Sequence, residues 1–283
     1  MQVMISRQSC EPGTGVMLSA IAGSNDPHIN HHSHNDIGHF SVYLDGEPLI
    51  IDLGQGAYSK STFTETRYDM WHISSKGHNV PRINGMLQRA GPAAESRNVR
   101  FSHEGSHSML SLDASPAYFT DPGTQRINRH ITFDHQTGEI GIEDEVDLDT
   151  PLTAFELPLH ICDRTIAVGE DGLYRISGKN NTLLIEPDNL LPLEVEKIEI
   201  TDPPAIWKCG GRQVFQDPFR GAGSESWTFR LEDPCGGVTP APLPNRCIPI
   251  VLLAEACDLF KVEKPSLAFR DEVGEACPTL PRR

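Results

Sequence analysis

The sequence predicts an all-β protein, an antiparallel β-sandwich, on three observations. Apolar and polar residues alternate over many short stretches. Gly, Asp, Asn and Pro interrupt those stretches roughly every ten residues, and no long amphipathic helical pattern occurs. The 24 glycines and 22 prolines suit turns between many strands better than they suit helices.

Residues 38–54 read as a first hairpin. Phe40, Val42 and Leu44 alternate with more polar neighbours, Asp45-Gly46 supplies a two-residue turn, and Leu49, Ile50 and Ile51 return. A second hairpin runs through Ile131 and Phe133, turns at His135-Gln136-Thr137-Gly138, and returns through Ile140 and Ile142. Further strands are expected at 97–101, 108–112, 153–159, 182–186, 193–200 and 227–231, and one short helix-like stretch at 63–74. Residues 1–233 are therefore expected to form the sandwich domain. Beyond it, a Pro- and Gly-rich run from Pro234 to Pro244 has linker composition, and only 248–253 resembles a strand. The segment 234–283 is expected to be a poorly determined tail.

The net charge of −15 argues against nucleic acid as a partner, because phosphate neutralisation needs a basic footprint. No apolar run approaches the roughly 20 residues of a membrane span, and the first residues lack a secretory h-region. The abrupt start is expected of a piece of a longer protein. The charge is uneven. Residues 60–100 carry seven Lys or Arg against three acids, whereas 120–202 carry eighteen acids against six bases. This pattern fits either two solvated faces or a local anion site on an acidic body. The seven cysteines have no metal-type spacing and define no disulfide framework.

The candidate chemistry centres on His32-Ser33-His34-Asn35-Asp36. On an extended strand His32, His34 and Asp36 share a face, because side chains alternate. Imidazole and carboxylate suit zinc or another divalent first-row metal, with a position left for water or substrate. Asp52 ends an apolar run, Ile50-Ile51-Asp52-Leu53, where a carboxylate is costly unless paired or metal-bound. His78 follows a polar loop and precedes Asn79-Val80-Pro81.

Several motifs together carry a family resemblance. They are Gly23-Ser24-Asn25-Asp26, the run His32 to Phe40, the run Asp45 to Gly54, Arg67-Tyr68, His78-Asn79-Val80-Pro81 and Asn84-Gly85. This series resembles the C-terminal sandwich domain of the heparinase II/III family of polysaccharide lyases. The likeness is dense over 20–90 and continues through Ala117-Tyr118, Arg129 to Phe133 and Glu143 to Val146, to about 233. It implies that His34, Asp52 and His78 are metal ligands, with zinc the usual ion, and that His32 lies beside the substrate. Arg67 falls at the family's Arg-Tyr pair, where bidentate contact with a substrate carboxylate is expected from guanidinium chemistry. The implied reaction is β-elimination on an acidic, uronate-containing polysaccharide or oligosaccharide of the glycosaminoglycan or alginate type, and a bacterial source is implied as well. Family members are often periplasmic or secreted. Their helical toroid domain, which adds a catalytic tyrosine, has no counterpart in residues 1–19, so the chain alone is expected to fold and bind metal without turnover.

Hairpin arithmetic sets one ligand in question. With a two-residue turn at Asp45-Gly46, Asp52 lies opposite His39, which nominates His39 in place of His34. The family pattern keeps His34 and requires a bend near Ile37-Gly38. A different class of function, a non-catalytic carbohydrate-binding or structural sandwich whose metal only pins a loop, shares these residues. A cupin-type oxygenase would need a Glu three or four residues after His34, where Ile37-Gly38-His39 stands.

Overall fold

The computed structural model describes residues 2–29, 31–53, 60–161, 166–178 and 180–187, with strand backbones at 193–198, 224–230 and 246–255. The first half of the chain contributes β1 (Gln2–Arg7), β2 (Val16–Ala22), β3 (Phe40–Leu44), β4 (Glu47–Ile50), β5 (Arg82–Ile83), β6 (Arg97–Glu104) and β7 (His107–Asp113). Next along the chain come β8 (Arg126–Asp134), β9 (Ile140–Asp147), β10 (Phe155–Ile161), β11 (Ile166–Val168) and β12 (Tyr174–Ser177). It continues with β13 (Thr182–Pro187), β14 (Leu193–Ile198), β15 (Ser224–Arg230) and β16 (Arg246–Glu255).

These strands form two antiparallel sheets. One runs β1-β2-β3-β4-β10-β15-β14, with β5 paired to β10; the other runs β11-β12-β13-β16-β9-β8-β7-β6. The core lies between them because each strand alternates. Val16, Leu18, Ala20 and Ala22 of β2 are buried at every second position, as are Ile127, Arg129, Ile131 and Phe133 of β8. They pack in one cluster with Phe40, Val42, Phe155, Leu157, Ile140 and Ile142. Each buried Val, Leu, Ile or Phe among them contributes about 1.5–3 kcal/mol of transfer free energy. Arg129 is the exception in this inward row, and it serves the site described below.

The first sheet is also covered on part of its outer face. β10 is buried almost throughout, and Trp71 and Lys76 lie against its His160. His160 of β10 donates Nε2–H to the Lys76 carbonyl at 3.0 Å, and its ring meets Trp71 at 5.6 Å between centroids. Ile51 and Leu53 form a second small apolar cluster with Trp71.

Both expected hairpins form, as β3–β4 and β8–β9, and all-β sandwich architecture holds. The helix-like stretch at 63–74 is instead a set of 3-10 turns, Lys60–Phe63, Glu65–Asp69 and Ser75–Gly77, too short and polar for an α-helix. The first hairpin departs from simple arithmetic. Leu44 pairs with Glu47 as expected, but a bulge between Val42 and Tyr43 pairs Val42 with Ile50. Regular continuation would then set Asp52 opposite Phe40, not His39. The strand expected at 248–253 is β16, which lies between β9 and β13. Segment 234–283 thus contributes a strand to the second sheet. Its remaining residues, and the linker from Pro234 to Pro244, lie outside the described residues.

Candidate metal centre

The segment carrying His32, His34 and Asp36 is a loop, not the extended strand expected, although its burial still alternates. Ser33, Asn35 and Ile37 are buried, His34 and Asp36 are half-buried, and His32 is exposed. Side-chain hydrogen bonds replace the missing ladder. Asn35 donates Nδ2–H to the Gln88 carbonyl and its backbone N–H to the Ile73 carbonyl, both at 3.0 Å. Gln88 Nε2 donates to the Ile37 carbonyl, and Gln88 Oε1 accepts from Ile37 N–H and Asn25 Nδ2. A buried amide pair therefore grips both sides of the loop.

The structure places Arg67 otherwise than in contact with a substrate carboxylate. Its side chain is 5% exposed, Nε and Nη2 donate to the Ser33 carbonyl, and Nη1 donates to the Thr62 carbonyl. The guanidinium ties the histidine loop to the 60–69 turns, and the neighbouring Tyr68 hydroxyl meets Ser33 Oγ at 3.0 Å. Within the same basic stretch, Arg82 pairs with Glu156 at 3.3 Å.

Two overlapping groups of side chains have their ligand atoms within 4.8 Å of one another: His34, Asp36 and His78, and His39, Asp52 and His78. The expected set of His34, Asp52 and His78 is thus divided between groups that share His78. Asp52 Oδ1 lies 2.8 Å from His78 Nδ1, and Asp52 Oδ2 lies 3.6 Å from His39 Nε2. The His34 and His78 rings stand 5.2 Å apart.

Asn79, beside His78, is the hub of this arrangement. Its Nδ2 donates to the Phe40 and Ile51 carbonyls, bridging the chain where it enters β3 and where it leaves β4. Its Oδ1 accepts from His160 N–H, and its own N–H donates to His39 Nδ1 at 3.0 Å. Arg129 reaches from the second sheet to the carbonyls of Gly38 and Asn79, at 2.8 and 2.9 Å, while Asp144 holds its other edge. Asn25, Asn79, Gln88 and Arg129 are the site residues that ligand chemistry alone misses. Asn25, Asn79 and Arg129 stand inside the quoted motifs, which is the signal that was present.

Electrostatics separate the four histidines around Asp52. Burial pushes His39 down to about 4. Burial, then the His78 charge, lowers His34 and His160 to about 3 each. Burial opposes the charge on His78 as well, but the Asp52 carboxylate and its hydrogen bond outweigh that and raise it. Burial lifts Asp36 to about 6.

The donor set fits a divalent cation. His78 Nε2 is buried and has no hydrogen-bond partner, while its Nδ1 faces a carboxylate, the arrangement that leaves the far nitrogen of a metal-bound histidine to the ion. His34 lies on the same side with a neutral imidazole available.

Fold and site together define a two-sheet antiparallel sandwich with a histidine–carboxylate centre where the chain enters β3 and leaves β4. The family profile of heparinase II/III-like C-terminal domains matches residues 6–206, and the chain belongs to that family. Among solved structures, a heparinase III gene product matches with a TM-score of 0.60 and 14% identity. That alignment covers 89% of this chain and 34% of the heparinase III, so the chain spans about a third of the relative's length. No curated protein matches it by sequence. Among the described residues no helix is long and apolar enough to cross a membrane.

Proposed function

We propose that this domain is the metal-supported active-site sandwich of a polysaccharide lyase that acts on uronate-containing polysaccharides by β-elimination. The observation that carries the reading is His78, buried with Nδ1 on Asp52, Nε2 unpartnered and His34 beside it, in a chain of the heparinase II/III-like family. His34, Asp52 and His78 would hold the ion, with zinc suited to this nitrogen and oxygen set. When bound, the ion supplies positive charge and a fixed geometry to the loop above it.

The reaction removes the proton at C5 of the uronate, breaks the bond from C4 to the glycosidic oxygen, and returns a proton to that oxygen. The product carries a 4,5 double bond. His32 is exposed on the same loop as His34 and takes the substrate side in this reading, moving a proton at its ring nitrogen. Arg67 serves by clamping the loop that presents His32 and His34. Turnover is proposed to need a helical partner domain of the kind that completes the lyase site.

Incubation with heparan sulfate, alginate and other uronate polymers, with and without an added helical domain, tests the reading. Ultraviolet absorbance of a 4,5-unsaturated product is expected with the helical domain present. Its absence with every polymer and with the domain supplied favours the second reading, a non-catalytic sandwich whose metal pins the loop. The dense clamping of 33–39 by Arg67, Gln88 and Asn79 is the observation on that side.

A further inference from the structure

We propose that the free edge of the second sheet, at residues 100–104 of β6, pairs antiparallel with the same edge of a second copy of this chain to make a symmetric dimer. The proposal stands apart from the lyase reading. β6 is the last strand of its sheet: it pairs with β7 alone, and none of its residues is buried. Such an edge presents a row of backbone N–H and C=O groups as a template for another strand. Among the described residues neither Arg100 nor Glu104 has an ion-pair partner.

The two sheets do not end together at this corner. The β6–β7 register sets Phe101 opposite Leu110 and His103 opposite Ser108, and both of those partners are buried on the core side. Phe101 therefore points to the core side, yet it is 62% exposed. The first sheet stops short of it. At this end its edge strand β1 meets the second sheet where His135, just past β8, donates Nδ1–H to the Arg7 carbonyl at 2.8 Å. β7 and β6 extend beyond that contact. The result is a ledge, open along its edge and on its core face, with room for a second ledge of the same kind.

Residues opposite one another in antiparallel strands share a face of the sheet, so a copy of β6 can meet its own only about a residue. Centred on Ser102, the pairing sets Arg100 opposite the partner's Glu104 and Phe101 opposite the partner's His103, each contact occurring twice. Arg100 and Glu104 lie on the outer face, where opposed Cβ atoms stand about 4.5–5.5 Å apart. Centred on Phe101, Glu104 would instead face the partner's Asn98, whose φ of 51° places it in the bulge between Arg97 and Arg100. Parallel pairing in register would oppose like charges. Charge thus selects the closed antiparallel form, in which one edge serves both copies and leaves none for a third. Its two-fold axis stands perpendicular to the joined sheet, so the histidine centres, carried by the first sheets, stay clear of the junction.

Sedimentation velocity of the full chain, over about 1 µM to 1 mM at low ionic strength, is expected to show a monomer–dimer equilibrium. Arg100→Glu alone, or Glu104→Arg alone, opposes like charges twice and should weaken dimerisation by about tenfold or more. Mixing the two single variants should restore it. In that mixture each acid of one copy faces a base of the other, which no other interface requires. Both side chains are exposed, so far-ultraviolet dichroism and zinc binding are expected to match the wild type in either variant. A wild-type monomer at every concentration, or a larger assembly, overturns the proposal. So does a dimer that neither variant weakens, or a mixture that associates no better than its components.

Discussion

Arg129 and Asp144 face each other across β8 and β9 as a bidentate pair, with Nε to Oδ1 at 2.7 Å and Nη2 to Oδ2 at 2.6 Å. Both side chains are almost fully buried, at 2% and 1% exposure, inside the apolar layer between the sheets. A charge pair in that position contributes through what it organises. Here the free edge of the guanidinium holds the carbonyls of Gly38 and Asn79, one on each side of the histidine centre.

Asp144→Ala should therefore cost about 3–5 kcal/mol, since it strands a buried guanidinium. Urea unfolding measures this. The same variant should also bind zinc more weakly than wild type where it remains folded. Loss of stability with unchanged metal affinity would separate the strut from the site.

Asn79→Ala removes the amide that bridges the Phe40 and Ile51 carbonyls and receives His160 N–H. With buried carbonyls left unpaired at about 1–3 kcal/mol each, the expected loss is at least about 2 kcal/mol. Asn79→Asp should be no better, because a carboxylate cannot donate to either carbonyl. Equal unfolding midpoints for Asn79→Asp and wild type would refute this account.

Gly77 precedes His78 in a turn with no room for a methyl group. A Cβ there would stand 2.9 Å from His72 Cα and 3.1 Å from the Trp71 carbonyl oxygen, both backbone atoms. Gly77→Ala is expected to displace the His78 loop, lowering the thermal midpoint and weakening zinc by more than tenfold in a metal titration. The tenfold corresponds to about 1.4 kcal/mol.

Acid should destabilise the metal-free protein. The folded values of His39, about 4, and His160, about 3, lie below their unfolded value of 6.5. Between those limits the unfolded chain binds more protons, so stability is full above pH 6.5 and falls as pH drops below it, by about 1.4 kcal/mol per pH unit for each ring. Asp36, raised to about 6, takes up a proton in the folded state and offsets part of this below pH 6. The raised His78 contributes stability below pH 6.5 that is lost as pH rises through its folded value. The urea midpoint at pH 5 should lie below that at pH 6.5, with the slope unchanged. A midpoint equal or higher at pH 5 would count against neutral, buried His39 and His160.

Much of the fold was legible because strand alternation is a local property. The β8–β9 hairpin follows from Ile127, Ile131 and Phe133 against Ile140, Ile142 and Val146, with turn residues between. The proposed ligand set of His34, Asp52 and His78 rests on the family motif, since His and Asp spacing alone allowed His39 as readily as His34. What composition hid was tertiary: the bulge at Val42 that shifts Asp52 by one register, and the backbone carbonyls that capture Arg67. The Arg67 guanidinium, expected to meet a substrate carboxylate, binds the Ser33 and Thr62 carbonyls, contacts that no local sequence pattern announces.

The place of β16 has a consequence for synthesis. β9 leaves the ribosome with β8 already available as a neighbour, yet its other edge waits for Arg246–Glu255, about a hundred residues later. At roughly 5–20 residues per second, that edge stays open for several seconds. During that interval Ile140, Ile142 and Val146 lack their final cover, and the strand edge is a template for pairing with another chain. Arg129 sits on β8, so the support of the histidine centre is one strand from the edge that β16 closes. The acidity of β9, with Glu143, Asp144, Glu145 and Asp147 in one short run, disfavours association of that edge with its own copies while it waits.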